Sequence, residues 1–143
     1  MGRVNWGRVV LGGLVSLVVY SALGAASAFL YLMKEGRNAF EHIGLRVVSH
    51  MSDPGFFAFV AVLAFVSGIL SIWLYAAIRP RYGPGIRTAV IAGVVIWILA
   101  QLLPLLYWSQ LLGLGTRLVI LNGVTTLVVV VTATLAGTWF YQE

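Results

Sequence analysis

The chain contains no cysteine. That excludes disulfide staples, thiolate metal sites, iron–sulfur clusters and a cysteine nucleophile. Charge is nearly as scarce: 9% of the 143 residues are Asp, Glu, Lys or Arg, and 4 of them are acidic. A soluble domain carries roughly 25% charged residues, so this chain cannot cover a water-facing surface. Its 2 histidines are too few for a three-histidine zinc centre, and no metal or cofactor is expected. Basic residues never run together with interleaved aromatics, which argues against nucleic-acid binding. The Gly83-Pro84-Gly85 turn lacks the Lys and Ser/Thr of a nucleotide loop. Ser49 and His50 are adjacent, but no Ser–His–acid set forms around them. No catalytic residues are assigned, and the chain reads as a non-enzyme.

What is present is apolar. Hydrophobic residues make up 61% of the chain, and mean hydropathy is +1.00. A hydrocarbon core of ~30 Å needs ~20 apolar residues in a helix. Four stretches meet that length: residues 9–33, 56–78, 88–108 and 118–141, none of which contains Asp, Glu, Lys or Arg. Lipid offers no partner for backbone N–H and C=O groups, so such stretches must be helical. They do not alternate as barrel strands do. The expected fold is all-α: one transmembrane domain over residues 1–143, a four-helix bundle with an amphipathic surface helix between the first two spans.

The connections support this. Residues 34–55 are the long polar segment, in which Leu45, Val48 and Met51 could rest on the membrane while polar residues face water. Residues 79–87 are dense in Pro and Gly, and Pro80 and Pro84 are expected to end the second helix sharply. Residues 109–117 form a short hairpin connection. Ala26-Ser27-Ala28 resembles a signal-peptidase site, but the apolar run continues past it, so the first span is expected to remain.

Net charge is +5 and the pI is about 10.1. The basic residues lie at span ends, where they orient a chain. Arg3, Arg8, Arg79, Arg81 and Arg87 fall on one side; Lys34, Arg37, Arg46 and Arg117 fall on the other, with Glu35, Glu41 and Asp53 offsetting the long loop. The unopposed 79–87 loop places both termini in the cytoplasm. Trp6, Tyr82, Trp139 and Tyr141 on that side, and Tyr31, Phe56, Phe57, Tyr107 and Trp108 on the other, form aromatic belts.

Helices in lipid associate through small residues and hydrogen bonds. The expected contact faces are Ser21, Gly24, Ala25 and Ala28 on the first span and Ala61, Ala64, Gly68 and Ser71 on the second. Ala89 and Gly93 mark the third, and Gly123, Ala133 and Gly137 the fourth. These faces serve either packing within one bundle or a dimer interface. Arg87 to Gly93, Arg117 to Gly123 and Arg8 to Gly12 share an Arg followed by a Gly, which reads as common chemistry at the start of a helix rather than duplication.

Ionisable residues inside a span are the usual mark of a transport pathway, and these spans have none, which argues against proton-coupled antiport. Neutral polar groups remain. At 1.5 Å per residue, Gln101 lies roughly 20 Å from Thr88, Tyr20 and Ser21 lie roughly 17 Å from Val9, and Asn122 lies roughly 6 Å from Leu118. Tyr20, Ser21, Gln101, Asn122 and Thr125 therefore share a band in the outer half, either a registry hydrogen bond or a small polar pocket. Pro104 would free the carbonyl of Ala100. Arg79, Arg81 and Arg87 could contact lipid phosphates. Glu41, His42 and His50 are a weaker surface candidate, His42 and His50 sharing a helical face.

Two segments, NWGRVVLGGLV at 5–15 and WLYAAIRPRYGPG at 73–85, resemble a group of small bacterial four-span membrane proteins with no assigned activity. The resemblance covers the first helix and the second helix with its loop, the second motif being the more specific. It implies four helices in a bacterial inner membrane and brings no catalytic residues. The function expected is that of a structural or accessory membrane subunit, working as a homo-oligomer or within a larger complex in the lipid bilayer. Two alternatives stay open: a small dimeric transporter or channel using the polar band, and a lipid- or quinone-binding protein.

Overall fold

A computed structural model describes residues 5–32 and 54–141. Every described element is helical. Helix α1 covers Trp6–Ser27 and runs into a π-helical turn, Ala28–Leu32; α2 covers Pro54–Tyr82. The third span is composite: α3, Ile86–Trp97, a π-helical turn, Ile98–Leu102, and α4, Leu103–Leu112. Helix α5 covers Thr116–Trp139. Four of these helical runs, Trp6–Leu30, Pro54–Tyr82, Ile86–Leu112 and Thr116–Trp139, are long and apolar enough to cross a membrane. The amphipathic helix expected after the first span lies outside the described residues.

Each boundary has a local cause. The Asn5 side chain accepts the Arg8 backbone N–H at 3.2 Å, satisfying one of the donors that a helix start leaves open. This cap sits four residues ahead of the apolar run, so α1 begins at Trp6 rather than near Val9. Contrary to the sequence expectation, α2 passes through Pro80 and stops at Tyr82. Proline costs one ladder bond near the helix end; the stop comes from Gly83, whose φ of 82° is the left-handed conformation that side chains resist. Its N–H still reaches the Arg79 carbonyl at 2.9 Å. Gly113, at φ 62°, ends α4 in the same way.

Short links at 83–85 and 113–115 make α2/α3 and α4/α5 antiparallel neighbours. Helix α1 packs against α2 and α5, and α3 closes the ring by packing against α2 and α5. The first and third spans are therefore a diagonal pair. Packing is uneven along the bundle. At the end carrying Arg8, Arg79, Arg81 and Arg87, here the basic end, all four spans share one core: Val9, Ile72, Tyr75, Ala76, Ala89, Ala92 and Tyr141. Tyr141 is 2% exposed, so it does not join an aromatic belt. Its ring meets Tyr75 edge-on at 6.1 Å and its hydroxyl accepts the Asn5 N–H at 3.4 Å. The reason is position: the chain turns back over the core after Trp139, and the phenol finds a donor there. Trp6, Tyr82 and Trp139 are exposed, as are Phe56, Phe57, Tyr107 and Trp108 at the far end. The side chain of Tyr31 lies outside the described residues.

Backbone contact between helices is concentrated where glycine permits it. A Cβ on Gly68 would stand 2.9 Å from the Gly13 carbonyl oxygen. One on Gly137 would stand 2.6 Å from the Gly12 carbonyl oxygen and collide with the Ser16 hydroxyl. Gly93 meets Val131 and Thr134 on α5 in the same manner. Thus α1 uses Gly12, Gly13 and Ser16 as its contact face. Ser21 and Ala25 are exposed, and the Cβ position of Gly24 has nothing within 4 Å. The stripe expected on α1 is displaced toward the basic end because that is where the other three helices present their own small residues. The glycines of the three Arg-to-Gly segments, Gly12, Gly93 and Gly123, are all buried.

Candidate functional site

Toward the far end the bundle opens. Every residue of α2 from Pro54 to Leu63 is at least partly exposed among the described residues, so nearly three turns of this helix add nothing to the described core. Helix α4 touches the rest of the bundle only slightly, through α5. Between the tight and open halves lies the candidate site, built on α1, α2 and α5.

Its centre is a cavity of about 10 Å³ lined by Ser16, Tyr20, Ala64, Ser67, Ser71 and Thr134, with Gly68, Val130 and Ala133 completing the wall. That volume matches a single small group, one water needing ~10–15 Å³ on this measure. Five of the lining residues carry hydroxyls, and three of these donate to helix carbonyls: Ser16 to Ala133 across the α1–α5 contact at 2.9 Å, Ser71 to Ser67 at 2.8 Å and Thr134 to Val130 at 2.8 Å. With the protons directed there, the surface that faces the cavity is almost entirely carbon. Ser71 and Thr134 behave this way because their own helix offers the nearest acceptor, and Ser16 because the close crossing brings the Ala133 carbonyl of α5 within reach.

One bond crosses the bundle diagonal. Gln101, inside the π-helical turn of the third span, donates its Nε2 to the Tyr20 hydroxyl at 3.0 Å. The turn explains how it reaches. Pro104 has no N–H to give, and the Leu103 N–H bonds five residues back to Ile98 instead of four. Such a bulge bends and re-aims a helix. A second bond joins the third span to α5: Trp97 Nε1 donates to Thr126 Oγ1 at 3.1 Å.

Of the expected polar band, the structure brings Tyr20 and Gln101 together. Ser21, one residue on, is exposed. The Asn122 backbone carbonyl accepts from Thr126 at 2.8 Å, and Thr125 donates to the Leu121 carbonyl at 2.7 Å. Equal depth in the bilayer placed these five in one band; azimuth sets exposed Ser21 apart from half-buried Tyr20, and depth arithmetic does not contain it. Ser16, Ser67, Trp97 and Thr134 were missed for the opposite reason, while Ser71 was expected only as part of a contact face. Serine and threonine are common in spans and carry little signal singly, although Ser67, Ser71, Ala64 and Gly68 do recur at spacings of three and four.

At the basic end, Arg81 and Arg87 are exposed and Arg79 is half-buried beside the 83–85 turn. The turn is pinned by Thr88 Oγ1 donating to the Gly83 carbonyl at 2.7 Å and by the Gly85 N–H donating to the Tyr75 hydroxyl at 3.3 Å. Glu41, His42 and His50 lie outside the described residues, as do all the other acidic residues of the chain. The site as described offers packing surfaces and neutral hydrogen bonds. No family model, curated protein or solved structure matches this chain.

Proposed function

We propose that this protein is a non-enzymatic structural or accessory subunit of a membrane, assembling with a second copy or with the helices of a larger complex. The carrying observation is the pair Ser21 and Ala25. Four residues apart, they share one exposed face of α1 with Leu14 and Val18. Small residues at that spacing let two backbones approach closely in lipid, where association relies on packing rather than on water. The bundle uses its glycines at Gly12, Gly13, Gly68 and Gly137 for its own crossings and leaves this pair unused.

Two further features support the reading. The described interior holds neutral hydrogen bonds with charges only near helix ends, and the cavity beside Tyr20 has the size of one small group rather than of a solute path. The positive-inside rule puts the basic end in the cytoplasm. A bacterial inner membrane follows from the resemblance of segments 5–15 and 73–85.

Native mass spectrometry from a mild detergent tests the assembly. The expected result is an oligomer or a retained partner for the natural chain, and release of monomer by Ser21→Leu with Ala25→Leu at unchanged helix content. A lone monomer under all gentle extraction conditions overturns the reading.

A further inference from the structure

The π-helical turn of the third span leaves one backbone carbonyl without a helical donor. The Leu99 carbonyl would ordinarily accept from the residue four or five places on. Four places on, the Leu103 N–H is given to Ile98. Five places on stands Pro104, which has no N–H. Among the described residues no side chain donates to this carbonyl; its polar neighbours Trp97 and Gln101 donate to Thr126 and Tyr20. Leu99 is the central residue of the 27-residue run Ile86–Leu112, ~20 Å from either end, and is 60% exposed. The orphan acceptor therefore sits near the bilayer midplane on the outer surface of the bundle. Lipid cannot answer it there, since acyl chains carry no donor and the headgroups are ~15 Å away. The donor has to come from another helix.

A second copy of this chain carries one. The Ser21 hydroxyl is exposed and makes no hydrogen bond among the described residues, whereas Ser71, Thr126 and Thr134 turn back to carbonyls of their own helices. Depth agrees. Tyr20 and Gln101 are bonded to each other; Ser21 is one residue from the first and Leu99 two from the second, so spare donor and orphan acceptor lie within about one turn, ~5 Å, of a common level. Direction agrees as well. Val9 and Ala89, each near the start of its span, share one core, so α1 and the third span point the same way, and copies inserted alike can lay one beside the other. Ala25, one turn on from Ser21, keeps that approach close. We propose that the Ser21 hydroxyl of one copy donates to the Leu99 carbonyl of the next. The first and third spans are diagonal in the bundle, so the contact joins unlike surfaces, and copies follow head to tail in a row or ring. This rests on the reading of the chain as an assembling subunit and names its partner and its bond.

The natural chain has no cysteine, so introduced cysteines report the contact alone. Ala25→Cys in one preparation and Leu103→Cys in another lie one turn beyond Ser21 and Leu99, at exposed positions, and leave both bonding groups intact. The two whole chains are reconstituted together in phosphatidylcholine vesicles and oxidised with copper phenanthroline. The expected result is a disulfide-linked dimer in the mixture and little in either preparation alone. Adding Ser21→Ala to the Ala25→Cys chain is expected to lower the linked fraction at least about threefold, the weak end of an interhelical hydrogen bond in lipid, at unchanged helix content; Ser21→Thr in its place restores it. With both cysteines in one chain, the ladder of linked copies is expected to run past the dimer. No disulfide in the mixture, a yield unmoved by Ser21→Ala, or a ladder that ends at or below the dimer overturns the proposal. Native mass spectrometry separates the two readings: an oligomer with no link between positions 25 and 103 removes this bond alone, and a lone monomer removes the assembly as well.

Discussion

Replacing Gly137 with Ala adds one methyl group at the tightest of the described glycine crossings. The new Cβ would stand 2.6 Å from the Gly12 carbonyl oxygen and 2.7 Å from Ile72 Cδ1, and would collide with the Ser16 hydroxyl. Ile72 can turn its terminal carbon away; the carbonyl of a neighbouring helix cannot. Helices α1 and α5 must separate by several tenths of an ångström, which also strains the Ser16 to Ala133 hydrogen bond, now 2.9 Å. Overpacking of this kind costs about 1–3 kcal/mol, and an interhelical hydrogen bond in lipid contributes about 0.6–2 kcal/mol. Alanine's better helix propensity returns about 0.5–1 kcal/mol. The net expectation is a destabilisation of about 2 kcal/mol. Gly24→Ala is the control: the same chemical change on the same bundle, with nothing within 4 Å of the added methyl, so only the propensity gain of up to about 1 kcal/mol remains. Reversible unfolding in mixed detergent micelles, followed by circular dichroism, measures both. If Gly137→Ala equals or exceeds the natural chain in stability while Gly24→Ala weakens it, the close crossing of α1 and α5 does not exist as described.

Tyr20→Phe and Gln101→Leu each remove one end of the 3.0 Å diagonal bond; a double-mutant cycle in the same unfolding assay should give a coupling of about 0.6–2 kcal/mol, and zero coupling would mean the bond is absent in the membrane. Tyr141→Ala empties a fully buried site of the four-span core and should cost about 3 kcal/mol, whereas Tyr141→Phe, which keeps the ring and gives up the long 3.4 Å bond from Asn5, should cost about 1 kcal/mol or less. Neutralising Arg79, Arg81 and Arg87 together removes the unopposed basic loop and should leave a mixed orientation, read by compartment-specific reporters fused at the C-terminus; the same single orientation as the natural chain would show that this loop does not set it.

The spans were legible because the rule behind them is blunt: twenty uncharged apolar residues in lipid have one structural option. Their ends were read less well. A proline is visible in sequence, yet it was Gly83, adopting positive φ, that stopped α2. The Tyr20–Gln101 link was within reach of depth arithmetic, since both lie near the same level. Exposed Ser21 was not separable from it, because which side of a helix faces inward depends on which neighbours arrive there. The same limit moved the α1 contact face from Gly24 to Gly12 and Gly13. Small residues occur in both places, and only the positions of Gly68, Ile72 and Gly137 on other helices select one.

The π-helical turn at Ile98–Leu102 has a genetic reading. A widened turn of this kind is one residue more than the regular helix would hold, and one residue is ~100° of rotation. The span therefore carries a phase slip, and everything beyond it is aimed by that surplus residue. Ser109 is the single buried residue of α4. Deleting one codon between Trp97 and Leu103 would remove the widened turn, with the bond at Pro104 still missing, and swing Ser109 out toward lipid, bringing a different flank of the helix to face α5. An in-frame loss too small to shorten the span appreciably would thus rewire which side of its outer third meets the rest of the molecule.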